Sequence, residues 1–327
     1  MAGRLRDVRR VTAAVVLVTV LAACSWRLET EPVPTPTADA AQAARDLAAR
    51  NEAAIIAALG EPASEGSGRE ALEALEGVAA AAHLSTLGGV YEPYPSASPS
   101  PSPQPSPLPS PDLRAAVLAA RDDALALAFA RSETDAGFLA GSVALTHTFA
   151  AWYAGVLDAQ AAGIVISVDE PRSLPGAYGE GVPLVPEATS LDPDAVAELA
   201  LRHDQARFLY EVIAARESGE ARTRALVSAR GHGDRAEALV ELSGVDLRTP
   251  VYELPQTAIS TAEERLAAQR LTEQGLGWAY MALTYGVDAP DRAWLMAAAF
   301  DAYTASALVP GFTVAEFPIL PGAAAPA

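Results

Sequence analysis

The stretch "YPSASPSPSPQPSPLPSPDL", Tyr94–Leu113, interrupts a chain that otherwise reads as one Ala/Leu-rich helix after another. Proline has no backbone N–H and breaks helices, so the tract is expected to be extended. A helical pattern flanks it on each side as a pair. Before it come "DAAQAARDLAARNEAAIIAAL" (39–59), with Asp39 as cap and Gly60 past its end, and a second helix from about 69 to 87. After it come helices at about 111–130 and 135–161, the first opened by Pro111. Short loops within each pair make antiparallel hairpins. A 20-residue helix is about 30 Å long, and polyproline II rises about 3.1 Å per residue. The Pro/Ser-rich segment 92–111 is therefore long enough to cross a whole bundle. The other reading, a loose insertion between two hairpins, stays open and is compatible with the first.

Moving outward, "IVISV" (164–168) is a short β-prone run, and a Pro/Gly-rich connector follows it to about Ser190. The second half then repeats the plan. Asp192–Pro193 starts a helix to about Glu217, and the next ends at Gly244. The link "VDLRTPVYELPQT" (245–257) is again long and carries two prolines. Helices at about 258–285 and 291–308 close the half. The expected fold is all-α: two four-helix bundles, 38–162 and 191–322, each with a long crossover between its second and third helices, joined by an extended connector at 163–190.

Composition agrees with that architecture. Half of the 327 residues are hydrophobic but only 6% are aromatic, so the core must be built from Ala, Leu and Val. All 23 basic residues are Arg and the net charge is −18. Nucleic acid is not an expected partner, because phosphate contacts need clustered cations. The one cysteine, Cys24, has a specific setting. Residues 1–10, "MAGRLRDVRR", are basic; 11–23, "VTAAVVLVTVLAA", are apolar but too short for a bilayer span, which needs about 20 residues. The run ends "LAAC" (21–24), the lipobox pattern of bacterial lipoproteins. A signal peptide over 1–23, lipidation of Cys24, and a tether over 24–37 follow as expectations. They place the chain on the extracytoplasmic face of the cell membrane, held by its N-terminal lipid, with an envelope protein of unknown identity as partner.

The run "VYELPQTAISTAEERLAAQR", the preceding "GHGDRAEAL" and the closing "AEFPILPG" resemble an actinobacterial ferritin-like domain of unknown function, number 4439 in that naming series, over roughly 191–322. The first half looks similar, more loosely, to a second ferritin-like bundle. The resemblance implies fold and address, and no known activity.

Ferritin-like di-iron sites use Glu-x-x-His on two of their helices. The four histidines, His83, His147, His203 and His232, follow Ala80, Ala144, Ala200 and Ala229 at that spacing, so the motif is missing. No catalytic residue, cofactor or assured metal is therefore expected. A polar cluster in the second half remains the candidate site: His203, on the stripe Val196–Leu199–His203–Ala206–Tyr210–Ile213, with Asp204, His232, Arg235, Glu263 and Glu264. Three readings of it stand, a paired ion network, a single metal or small-ligand site, or simple surface exposure; an Arg235 filling the space would exclude the second. Glu73, Glu76, Asp122 and Asp123 read as solvated helix faces. Trp152, Tyr153, Trp278, Tyr280, Tyr285, Trp294, Phe300 and Tyr303 read as packing. The leading expectation is a non-catalytic, lipid-anchored envelope protein with a structural or partner-binding role; the alternative is a metal- or small-ligand-binding ferritin-like protein with a redox role.

Overall fold

Eight α-helices carry the computed structural model: α1 (Ala40–Leu59), α2 (Ser67–Thr86), α3 (Leu113–Ala130), α4 (Asp135–Ala161), α5 (Pro193–Arg216), α6 (Gly219–Ser243), α7 (Ala262–Ala282) and α8 (Ala289–Leu308). It describes residues 39–61, 66–91, 112–167, 170–254 and 259–323, all within one compact unit. The fold is all-α, with no strand among the described residues; "IVISV" forms none over 164–167. The expected signal peptide, Cys24, the tether and the crossover 92–111 lie outside the described residues. Among those described, no helix is long and apolar enough to cross a membrane.

Local chemistry sets the helix ends. Asp39 caps α1 by accepting from the Gln42 N–H, and Gly60 follows its last turn. Asp192 caps α5, with Pro193 in the first turn. Gly244 ends α6 in the left-handed conformation, φ 69°, which costs glycine nothing. Helix α7 begins four residues later than the sequence implied, because Thr261 and Glu264 close a capping box there.

Helix α1 packs on α2 and α3, and α4 on α2 and α3. In the second half α5 lies along α6 and α7, and α7 along α8. Helices α4 and α8 also meet each other. Both are buried round most of their circumference: Ala140–Ala150 of α4 and Trp294–Thr304 of α8 are buried without a break. Such helices show no single apolar stripe, the mark of a central position. One apolar core consequently runs through both halves, from Ile55, Leu72 and Leu145 to Tyr280, Trp294 and Phe300. Leu174, within the 163–190 connector, is buried in it, and Tyr178 stacks on Phe129 of α3 at 4.6 Å. Two of the expected packing aromatics are instead exposed, Trp278 and Tyr285. Tyr285 sits beyond the end of α7, where its hydroxyl donates to Asp135 at 2.7 Å.

After α8 the chain turns back over the first half. A short 3-10 turn, Val314–Glu316, leads into a strap, Phe317–Ala323. Phe317 stacks on Phe149 of α4 at 4.0 Å. Gly322 lies so near the end of α7 that a Cβ there would stand 2.7 Å from Met281. The strap thus spans from α4 to α7.

Candidate functional site

The polar cluster of the second half is real but differently composed. His203 and His232 face each other, Nδ1 to Nδ1, at 3.0 Å. His203 Nε2 lies 2.7 Å from the Tyr280 hydroxyl. His232 Nε2 donates to Glu273 at 3.0 Å, and Tyr210 donates to the same oxygen at 2.7 Å. One assignment satisfies every atom: Tyr280 donates to His203, His203 to His232, and His232 to Glu273. Burial, with His232 and Arg235 close by, drives the His203 pKa far below its ordinary value. Burial would raise the Glu273 carboxyl, but His232, Tyr210 and Arg235 hold it down. The row is therefore a one-directional chain of hydrogen bonds ending on a buried carboxylate. It is complete without a ligand.

The other expected members stand aside from that chain. Arg235 is committed to Asp301, whose second oxygen accepts from the Arg172 backbone N–H at 2.8 Å. It lines a cleft of about 300 Å³ together with His232, Glu273 and Asp301, so a guanidinium stands beside the carboxylates there and repels a cation. Asp204 points elsewhere, to Arg207 and Tyr252, both at 2.7 Å. Glu263 and Glu264 are corrections. They occupy the first turn of α7, where Glu263 is exposed and Glu264 accepts from the Thr261 N–H at 2.7 Å. Acids at that position answer free helix N–H groups. Glu273, about three turns further along, supplies the carboxylate that the sequence reading assigned to them.

A second cluster, in the first half, holds unmet demand. Glu52 of α1, Glu76 and His83 of α2, and His147 of α4 are together in the core, none more than 1% exposed. His147 lies between two acids, Nε2 2.8 Å from Glu52 and Nδ1 3.0 Å from Glu76. Both carboxylates only accept, so in this arrangement both ring nitrogens must donate. Burial would push the His147 pKa down; Glu76 and Glu52 overcome it and raise it to about 10. Burial likewise opposes the charge on Glu52, and His147 and His83 hold it at about 2.

His83 is oriented from outside the cluster. Its Nε2 lies 2.8 Å from the Ile319 carbonyl, which can only accept, so Nε2 carries the hydrogen. His83 Nδ1 then stands 3.5 Å from Glu52 Oε2. Neither atom has a hydrogen-bond partner, nor does Glu76 Oε2. That separation exceeds the 2.7–3.2 Å of an N–H···O bond. Two ligands of one tetrahedral ion, at bond lengths of about 2.0–2.1 Å, stand about 3.4 Å apart.

No family model, curated protein or solved structure matches this chain.

The site is therefore judged on its own chemistry, and the donor set fits a divalent transition metal. Glu52, His83 and His147 each offer a ligand atom, and these lie within 4.8 Å of one another. Each histidine would use one nitrogen for the ion and give its other N–H to an acceptor, Ile319 carbonyl for His83 and Glu76 for His147. That is the usual outer arrangement around metal-bound imidazoles. Metal binding would replace the proton that His147 shares with Glu52.

Sequence reasoning passed over Glu76, placed on a solvated face with Glu73. The structure corrects this: Glu73 is exposed and pairs with Arg69 at 2.7 Å, while Glu76 is wholly buried. The missed signal is phase. Leu72, Glu76, Ala79 and His83 follow a 4–3–4 spacing, which is one face of a helix.

Proposed function

We propose that this chain is a lipid-anchored envelope protein built from two degenerate ferritin-like four-helix bundles, and that the first bundle holds one divalent transition-metal ion, of the zinc class, on Glu52, His83 and His147. The all-helical fold and the pairing of α1–α4 support the bundle reading. The lipobox supports the address. The observation that carries the metal is the pair of orphaned buried atoms, Glu52 Oε2 and His83 Nδ1, facing each other beside His147.

Burial of all three ligands and of Glu76 favours a held ion over one that turns over substrate. Two imidazoles and one carboxylate supply three of the four positions that zinc or cobalt(II) takes, which leaves the fourth to water or to the second oxygen of Glu52.

A second reading has its own observation. With His147 charged between Glu52 and Glu76, the cluster is a buried ion network that persists without metal. Cobalt(II) titration separates the two. Added to metal-free protein, it should give the intense visible absorption of a tetrahedral centre, and His83→Ala should abolish it. A wild-type protein that gives no such spectrum and no zinc competition leaves the ion network as the function of the cluster.

A further inference from the structure

The C-terminal strap touches the cluster at one atom that the ligands themselves need. Among the described residues it is docked by polar contacts to α2 and α4. The Ile319 carbonyl accepts from His83 Nε2 at 2.8 Å and lies 2.9 Å from the Thr146 hydroxyl. The Pro321 carbonyl accepts from Ser142 at 2.8 Å. Phe317 anchors the segment's start on Phe149, and Gly322 anchors its end against Met281. The strap is therefore a wall of the site made by residues more than 170 positions from α4 in the chain.

We infer that the Phe317–Ala323 strap and the metal are coupled: the strap selects the His83 tautomer that can bind an ion, and a bound ion holds the strap down. The inference rests on the metal reading of Glu52, His83 and His147. Its physical basis is the single imidazole hydrogen. With the strap docked, the Ile319 carbonyl keeps that hydrogen on Nε2 and leaves Nδ1 free towards Glu52. With the strap away, His83 loses its acceptor, its ring is free to turn, and the hydrogen can sit on Nδ1, where it blocks coordination. Loss of such an outer partner costs metal affinity about 10- to 100-fold. Linkage makes the effect mutual, so the ion must favour the docked strap by the same factor. The strap also reaches α7, so an ion bound among α1, α2 and α4 would tighten a contact to the second half.

The test uses zinc alone and two readouts. Zinc affinity is measured by competition with a chromophoric chelator for the purified chain and for a chain ending at Pro318, which keeps Phe317 in the core. Amide hydrogen exchange of residues 319–323 is measured on the intact chain with and without zinc. Coupling predicts affinity about 10- to 100-fold weaker in the shortened chain, and exchange slowed by a similar factor in the intact one. Zinc that binds both chains equally, with strap exchange unchanged, overturns the coupling and leaves the metal site standing. A wild-type chain that binds no zinc overturns the metal site itself. Should the shortened chain fail to fold, the exchange measurement on the intact chain decides alone.

Discussion

The Nδ1 of His83 faces Oε2 of Glu52 across 3.5 Å, and neither atom has a hydrogen-bond partner. An orphaned buried acceptor costs about 1–3 kcal/mol, and more when it is charged. Two such atoms aimed at one another are met by a positive charge between them, a proton or a metal ion. The first-half cluster differs in this from the His203–His232 pair, where a single assignment of hydrogens satisfies every atom.

Removing one partner from a buried ion pair leaves the other charge stranded, at a cost of about 3–5 kcal/mol. Glu52→Ala in the metal-free protein should lose that much by urea denaturation, because His147 keeps its charge and loses its shorter contact. Glu73→Ala, on the solvent face of α2, should stay within about 0.5 kcal/mol of wild type. Equal losses in the two variants would contradict the burial assigned to Glu52.

The same pair fixes a pH window. His147 is raised from 6.5 to about 10, so the stability it contributes is fully present below 6.5 and is lost as pH rises through 10. Glu52 is lowered from 4.5 to about 2, so its contribution is present above 4.5 and is lost as pH falls through 2. The metal-free protein should therefore melt highest between about pH 4.5 and 6.5 and decline on both sides. Wild type whose melting temperature is the same at about pH 6 and about pH 10 would show that His147 is uncharged.

In the second half, Tyr210 donates one of the two hydrogen bonds that hold the Glu273 charge in the core. Tyr210→Phe keeps the ring stacked against His232 and removes only the donor. The expected loss is about 1.5–3 kcal/mol, the range for hydrogen bonds to charged groups. A neutral result would mean that Glu273 is not ionised there.

Much of the fold was legible because its signals are local. Asp39, the Asp192–Pro193 pair and Gly244 mark helix ends through their own backbone chemistry, and the structure places caps at those positions. His203 was legible as buried because five apolar neighbours share its phase. The buried acids were not, since Glu52, Glu76 and Glu273 each interrupt an apolar face and look like surface residues in a one-dimensional scan. Their partners sit 95, 71 and 41 residues away, on other helices. A search restricted to Glu-x-x-His within one helix cannot find a site whose acids and imidazoles are shared among α1, α2 and α4. The carbonyl of Ile319 was further out of reach, because any residue could have supplied it.

The proposed address has a direct check. Cys24→Ser should move the chain from the membrane fraction to the soluble fraction of its native host, with the loss of a mass increment for attached acyl chains. Undiminished membrane association would contradict the lipobox.

The most direct measurement is elemental analysis by inductively coupled plasma mass spectrometry. It would compare the chain from Ser25, purified without chelator, with a His83→Ala/His147→Ala variant and a His203→Ala/His232→Ala variant. The account predicts one zinc-class ion per chain in the wild type and in the second variant, and none in the first. A wild type free of metal, or metal that survives loss of His83 and His147, would contradict it.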